Sequence, residues 1–214
     1  MPGTPPQPLT IVHFTHISHL WDVAQNGVLC DTHVQAAGYL LHEAGNTGIK
    51  ARRRTRRVAP APSGVVADYV PIYYAPRSPM MFSIHMGNVP TYAESCDDLI
   101  YLVTTVEQQI AAGRSLLFTD RNAVLDYAQF TSQVADLPEL IDWPLMQAYM
   151  WKNTSEHPDR MERRMAECLV HEWVSFESLS EIVTSNEAVA GIARDTLARL
   201  GGGMKVNVRP NWYF

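Results

Sequence analysis

The chain has 214 residues, 46% of them hydrophobic, which is enough to bury the core of one domain. Its formal net charge of −5 excludes a protein that coats duplex DNA by bulk electrostatic attraction, because that class needs a basic surface. The apolar runs are far shorter than the roughly 20 residues of a bilayer span, and the proline-rich start lacks the features of a signal peptide. We therefore expect one cytoplasmic domain over residues 1–214, and a monomer.

The three cysteines, Cys30, Cys96 and Cys168, lie far apart in the sequence and form no CxxC pair. This spacing indicates neither a disulfide framework nor a zinc site. We expect three core thiols and no bound metal.

The first predicted element is a strand over residues 10–17, in which successive side chains point alternately to the two faces of a sheet. The alternation places His13 and Thr15 on one face. Two neighbouring hydrogen-bonding groups suit the adjacent hydroxyls of a ribose, although a strand His or Thr is more often a satisfied structural residue. Ser18 is predicted to cap a helix that ends at Gly27.

The segment from Cys30 to Asp68 has no clear periodicity and contains a run of five arginines within residues 52–57. Long segments of this kind are functional loops, lids or disordered. We interpret residues 30–68 as an active-site or substrate loop, and the run as either a solvated charge patch or a mobile basic lid. Arginine suits phosphates and base edges because its planar fork donates hydrogen bonds in pairs.

The stretch YVPIYYAPRSPMMF at 69–82 combines prolines with aromatic and apolar residues around a single arginine. It predicts a strand at Pro71 to Ala75 that is short or exposed at one end, because proline lacks a backbone donor. Further along the chain, we predict buried strands at 98–105 and 114–119, a helix at 105–112, and a second helix from a cap at 119–122 to about Phe130.

The C-terminal half continues the mixed α and β pattern. Trp143 and Trp151 bracket a predicted helix, and another begins at Asp159 and gives way to a strand near Ala166. Ser185 is predicted to cap a last helix, followed by a strand at 205–209. The inward residues expected on that helix are Val189, Ile192, Ala193, Leu197 and Leu200.

Glu167 has two readings that depend on where this strand begins. In a continuing helix, Arg163 and Arg164 would be its i−4 and i−3 neighbours in an ordinary surface ion pair. At the start of a strand, Glu167 would instead project into a cleft, where a carboxylate can stabilise an oxocarbenium-like centre as a glycosidic bond breaks.

Five segments, in this order and spacing, resemble the DarT family of bacterial DNA ADP-ribosyltransferase toxins. They are HFTHISHL at 13–20, IKARRR at 49–54, DYVPIYYAPRSPMMF at 68–82, LFTDRNA at 117–123 and RRMAECLV at 163–170. The resemblance extends from about residue 10 to the C-terminus. It implies an α+β ADP-ribosyltransferase fold, in which a split central β-sheet with flanking helices holds NAD⁺ in a cleft.

The resemblance also implies a reaction, in which ADP-ribose passes from NAD⁺ to a thymidine base in single-stranded DNA. By position, Glu167 resembles the catalytic glutamate and Arg52 the arginine that assists it. The implied NAD⁺-binding residues are His13, Thr15, Tyr73, Arg77, Ser78 and Met80. The nucleic-acid-binding residues that we expect are Arg53, Arg54, Arg56, Asn122, Arg163 and Arg164.

Two alternatives stay open from the sequence. A related transferase would modify guanine in DNA or act on RNA, as the RNA 2′-phosphotransferases do on a similar fold. A non-catalytic nucleic-acid-binding regulator would keep the arginine run and tolerate loss of Glu167. If the protein is an active toxin, the resemblance implies a cognate antitoxin, the ADP-ribosyl-removing macrodomain protein DarG.

Overall fold

A computed structural model of the chain describes residues 3–38 and 42–214. Strands and helices are mixed along these residues. The strands are β1 (Thr10–His16), β2 (Val28–Leu29), β3 (Tyr69–Tyr73), β4 (Leu99–Thr105), β5 (Leu116–Thr119), β6 (Phe130–Thr131), β7 (Glu167–His171), β8 (Trp173–Val174), β9 (Glu181–Thr184) and β10 (Lys205–Val208). The helices are α1 (Leu20–Asn26), α2 (Asp31–Ala37), α3 (Thr47–Arg53), α4 (Pro79–His85), α5 (Val106–Ala111), α6 (Leu137–Leu140), α7 (Trp143–Gln147), α8 (Arg160–Arg163) and α9 (Glu187–Arg199).

The central sheet has the strand order β10-β9-β4-β1-β3-β7-β5-β6, while β2 and β8 form a small antiparallel pair beside it. Its two halves meet between β1 and β3, where only Val12 and Tyr73 are paired. By contrast, β1 pairs with β4 along its whole length. The split central sheet expected for an α+β ADP-ribosyltransferase fold is therefore present.

Pro71 lies at the position where the sheet divides. It cannot donate a backbone hydrogen bond toward β1, and its carbonyl accepts instead from the side chain of His13, with 2.8 Å between His13 Nδ1 and Pro71 O. On the other side, β3 pairs with β7 over five residues. Strand β3 thus begins and ends two residues earlier than predicted. It lies inside the sheet and not at its edge, because Pro71 faces the split toward β1, where no backbone donor is needed.

The core occupies both faces of the sheet, since alternate side chains of the buried strands point in opposite directions. Ile11 and Leu102 pack into one cluster, and Val12 and Tyr101 into another. Each large apolar side chain buried in this way contributes roughly 1.5–3 kcal/mol. The three cysteines are buried and free, which confirms their prediction as core thiols.

Two predicted elements differ from the structure. Residues 120–129 form turns rather than a helix, because Thr119 and Asn122 direct their side chains into local bonds to Arg121 O and Val124 N. The helix after Trp143 ends at Gln147, well before Trp151.

The segment from Cys30 to Asp68, predicted to be without regular structure, contains the helices α2 and α3. The PRSPMMF half of the tyrosine-rich stretch, for which no helix was predicted, contains α4, and Ser78 caps this helix. Strand β9 was not predicted.

The last helix was predicted in nearly the right place, but with the wrong cap. Asn186, not Ser185, accepts the hydrogen bond from Val189 N at its start. Ile192 was predicted to face inward and is 53% exposed, whereas Ala193 and Leu197 are buried. None of the described helices has the length and apolar character needed to cross a membrane.

Candidate active site

A cavity of about 430 Å³ lies beside the split in the sheet. The cavity is lined by side chains from several elements, including β1, β3, β7, α3 and α4. The lining residues that were predicted as site residues are His13, Thr15, Arg53, Tyr73, Met80, Asn122 and Glu167. The volume is in the range of small-molecule sites. Residues separated by more than 150 positions in the chain are therefore brought to one cleft.

Glu167 is the first residue of β7 and its side chain is almost completely buried, with 1% exposure. Arg53, the last residue of α3, donates through Nη1 to both carboxylate oxygens, at 2.9 Å to Oε1 and 3.1 Å to Oε2. The backbone N–H of Ala123 donates to Oε2 at 3.3 Å. The strand reading of this segment is confirmed, and the surface ion pair with Arg163 and Arg164 is excluded.

The pairing with Arg53 compensates the negative charge of the Glu167 carboxylate, which would be strongly destabilising if it were buried without a partner. It leaves Arg53 Nη2 buried, with no hydrogen-bond partner within the part of the chain that the structure describes. This nitrogen belongs to a residue that lines the cavity. The site thus combines a fixed carboxylate with an uncommitted guanidinium donor.

His13 and Thr15 both line the cavity from β1, as their shared strand face predicts. His13 Nδ1 faces the carbonyl of Pro71, which can only accept, so the ring proton is on Nδ1 and Nε2 is left as an acceptor. Burial lowers the pKa of His13, which favours this neutral form. Thr15 Oγ1 lies 2.9 Å from Nδ1 of His19.

Tyr73 and Met80 form another part of the wall. The Tyr73 hydroxyl contacts the sulfur of Met80 at 3.5 Å, and Tyr73 is directly opposite Glu167 in the β3–β7 pairing. Burial, with a further contribution from Glu167, raises the pKa of Tyr73. Its hydroxyl therefore stays protonated at neutral pH and acts as a donor.

Three predicted site residues on the catalytic and NAD⁺ side lie away from the cavity. Arg52 is exposed to solvent, because its neighbour Arg53 takes the inward position on α3. Arg77 donates to the carbonyl of Tyr213 and lies against the rings of Tyr149 and Phe214. Ser78 is buried as the cap of α4.

Most of the arginines predicted to bind nucleic acid contact the protein itself. Arg54 pairs with Asp31, and Arg56 donates to the carbonyls of Leu125 and Asp126. Arg163 pairs with Asp142 and Asp159. Arg164 donates to four carbonyls, those of Pro76, Leu145, Met146 and Ala148. These contacts within the folded protein explain the positions of four of the predicted residues, Arg54, Arg56, Arg163 and Arg164, without any nucleic acid.

Several contributions to the site were not predicted from the sequence, among them the two that follow. The backbone N–H of Ala123 reaches Glu167 because residues 120–123 turn back across the end of β5. The segment 42–46, HEAGN, adds His42, Ala44, Gly45 and Asn46. No pattern of hydrophobicity marks either segment, since both contribute through backbone atoms or local turns.

The family can now be assigned by comparison with known proteins. The sequence model of the family described as ssDNA thymidine ADP-ribosyltransferase, DarT, matches residues 12–214. The chain belongs to the DarT family. This confirms the family and the α+β ADP-ribosyltransferase fold that the sequence predicts.

Solved DarT structures agree with this assignment. Thermus sp. 2.9 DarT in complex with ADP-ribosylated ssDNA is 30% identical, covers 100% of both chains and superposes with a TM-score of 0.92. The same DarT in complex with NAD⁺ is 29% identical, with a TM-score of 0.86 over 99% of this chain and all of the other.

One DarT relative has a second activity in the same polypeptide. A DNA ADP-ribosyl transferase–DNA ADP-ribosyl glycohydrolase fusion protein of Thermosipho africanus is 23% identical over 182 residues. The match covers 84% of this chain and 43% of the fusion protein. The name of this relative thus includes a DNA ADP-ribosyl glycohydrolase beside the transferase.

Proposed function

We propose that this protein transfers ADP-ribose from NAD⁺ to a thymine base of single-stranded DNA and releases nicotinamide. The observation that carries the proposal is Glu167, a carboxylate buried at the cavity and fixed by Arg53 and the Ala123 N–H. Membership of the DarT family and the NAD⁺ and ADP-ribosylated ssDNA named in the Thermus complexes support the substrates. We further propose that residues 1–214 act as a single catalytic domain.

In the proposed reaction, the bond between the ribose carbon and the nicotinamide nitrogen breaks, and its electron pair leaves with neutral nicotinamide. Glu167 accepts a hydrogen bond from a hydroxyl of that ribose and stabilises the positive charge that develops on the sugar. His13 Nε2 and the Thr15 hydroxyl offer an acceptor and a hydroxyl for the cofactor, and Tyr73 and Met80 form the adjoining wall.

The acceptor is a ring nitrogen of thymine, which forms a new bond to the ribose carbon and loses its proton to solvent water. Arg53 cannot be the base, because a guanidinium stays protonated at neutral pH. Its Nη2, which has no hydrogen-bond partner among the residues that the structure describes, instead provides a positive charge and a donor for the deprotonating base. We propose that Asn122, which also lines the cavity, contacts the DNA.

The preference for single-stranded DNA has a physical basis. A paired base hides its reactive edge, and extruding it from a duplex costs a few kcal/mol, whereas an unpaired base presents that edge freely.

A labelling experiment with Glu167→Gln tests the proposal. The variant keeps the side-chain shape and loses the negative charge, so we expect transfer to a thymine-containing oligonucleotide to fall by about 10²–10³-fold. Oligonucleotides of the same length that lack thymine but contain guanine, and an RNA of matching sequence, serve as acceptor controls. Label on those controls in place of the thymine strand, or full activity of the variant, would refute the proposal.

We also propose a macrodomain antitoxin of the DarG type as partner, since a DarT relative carries a DNA ADP-ribosyl glycohydrolase in the same chain. The protein would then be a toxin that acts on the DNA of the cell producing it, and the cytoplasmic location and monomeric state stay predictions. Expression of the unsubstituted protein should stop growth, and co-expression of such a glycohydrolase should restore it. Harmless expression of an enzyme that is active in vitro would contradict this part.

A further inference from the structure

His19 lies between β1 and segment 42–46, and its two ring nitrogens contact different elements. Nδ1 is 2.9 Å from Thr15 Oγ1, and Nε2 is 3.2 Å from the backbone nitrogen of His42. The side chain is only 7% exposed, so both contacts are shielded from water. The buried His19 ring therefore links Thr15, which lines the cavity from β1, to His42, the first residue of segment 42–46.

The two contacts fix the position of the ring proton on His19. A backbone N–H can only donate, so Nε2 accepts from His42 and carries no proton. The proton of the neutral ring is then on Nδ1, which donates to Thr15 Oγ1. Within residues 3–38 and 42–214, Thr15 makes no other side-chain hydrogen bond, so its own O–H is available to a molecule in the cavity.

A second contact holds segment 42–46 at the same place. The His42 ring stacks on His16 of β1, with 4.1 Å between centroids and an interplanar angle of 28°. Its Nδ1 lies 2.9 Å from Glu94 Oε1. The backbone contact to His19 and this stack together seat the segment against β1.

Protonation of His19 would disrupt the arrangement, because a second ring N–H would face the N–H of His42. The titratable groups around the ring are His13 and His16 of β1, Asp22 of α1 and His42 of segment 42–46. Burial, reinforced by the three imidazoles and opposed by Asp22, lowers the pKa of His19 to about 4. The neutral ring thus persists at neutral pH.

We propose that His19 is a positioning residue, which directs the Thr15 hydroxyl toward bound NAD⁺ and anchors segment 42–46 through the same ring. The inference rests on the proposed function, because NAD⁺ is the molecule that Thr15 would contact. Arg53 and Glu167 bond to each other and not to His19, so we expect loss of His19 to weaken NAD⁺ binding and to leave the chemical step unchanged.

Three substitutions separate the two contacts. His19→Asn keeps an amide donor near the position of Nδ1 and loses the Nε2 acceptor, whereas His19→Gln places an amide oxygen near Nε2 and loses the donor to Thr15. His19→Leu loses both. The exposed His157, changed to Asn, is the matched control. We expect the KM for NAD⁺ to rise about three- to tenfold for each lost contact, a typical effect of one hydrogen bond, with kcat nearly unchanged.

The ring ¹⁵N resonances of His19 provide a readout that does not depend on activity. We expect the Nδ1–H tautomer at neutral pH. The Nε2–H tautomer would overturn the proposal, and so would a fall in kcat without a change in KM.

If the unsubstituted protein fails to modify DNA at all, the proposed function is wrong. Calorimetry then decides the inference, because weaker NAD⁺ binding by the three variants supports it and equal binding overturns it.

Discussion

Arg52 and Arg53 are neighbours in sequence, yet their side chains have opposite surroundings. Successive residues of an α-helix point about 100° apart, so only one of the two can face the cavity from α3. Arg53 does so and is 9% exposed, whereas Arg52 lies in solvent. We propose that Arg53, whose Nη1 holds the carboxylate, has the assisting role that the resemblance implies for Arg52.

Substitution of the two arginines tests this assignment. Arg53→Gln should lower kcat by about 10²–10³-fold, because it removes the donor that fixes Glu167 and the charge beside the acceptor base. Arg52→Gln removes an exposed charge and should change kcat little. The measurement is transfer of labelled ADP-ribose to a thymine oligonucleotide.

The free energy of unfolding of each variant has to be measured as well, since loss of Arg53 leaves the Glu167 carboxylate as an unpaired buried charge that can destabilise the fold. Arg53→Lys serves as a second control because it keeps the positive charge and loses the planar fork. A large loss in Arg52→Gln, with Arg53→Gln active and folded, would return the role to Arg52.

Arg164 is buried, with 5% exposure, and its guanidinium joins the α7 region to the end of the β3 segment. Burial lowers its pKa to about 10, so it stays charged at neutral pH. Arg164→Met leaves its carbonyl acceptors unsatisfied, and we expect the free energy of unfolding to fall by about 2–5 kcal/mol in a urea titration.

The neighbouring Arg163 is the comparison for this prediction. Its ion pairs with Asp142 and Asp159 are half-buried, so Arg163→Met should cost about 1 kcal/mol or less. If Arg164→Met kept full stability and lost affinity for single-stranded DNA, the nucleic-acid role predicted from the sequence would be right and the structural role wrong.

At the scale of elements, the junction of α1 and β2 depends on Gly27. This residue has φ of +75°, and a Cβ there would lie 2.4 Å from the carbonyl oxygen of Val174. Gly27→Ala should therefore lower the free energy of unfolding by at least about 2 kcal/mol and disturb the β2–β8 pair. Chemical denaturation measures the change.

Gly191 provides the opposite case within α9. A Cβ at this position meets no atom within 4 Å, and its φ is not in the left-handed region. Gly191→Ala should raise the free energy of unfolding by about 0.5–1 kcal/mol, since alanine loses less backbone entropy in a helix. Equal effects of the two substitutions would show that neither backbone conformation nor contact with Val174 matters at Gly27.

The sequence predicted those elements whose formation depends on local pattern. Alternation placed His13 and Thr15 on one face of β1, and the β-rich run after Ala166 placed Glu167 at the start of a strand. Short helices such as α3 carry no amphipathic pattern and are held by tertiary contacts, so the same reasoning missed them. The choice between Arg52 and Arg53 depends on how α3 is rotated relative to β7, more than 100 residues away, and no local pattern encodes that.

At the scale of the whole molecule, the basic residues are used mainly for internal contacts. Asp31 forms ion pairs with Lys50 and Arg54, and Glu43 forms a second ion pair with Lys50. Of the five arginines in the run, Arg52, Arg54 and Arg57 are exposed, and of these Arg54 pairs with Asp31. Arg52 and Arg57 form no ion pair with any residue that the structure describes, so their side chains are available to a phosphate. A chain of net charge −5 with this arrangement should contact few DNA phosphates.

The salt dependence of DNA binding tests this distribution of charge. With two or three phosphates contacted, the logarithm of the association constant should fall with the logarithm of salt concentration at a slope of about −1.4 to −2.1. Fluorescence anisotropy with a labelled thymine oligonucleotide and the Glu167→Gln variant measures binding without turnover. Replacement of both Arg52 and Arg57 by glutamine should reduce the slope by about 1.4, since each phosphate contact on a single strand contributes about 0.7. A slope steeper than about −5, or duplex binding as tight as that of the single strand, would mean an extensive basic groove, which the internal pairing of these arginines contradicts.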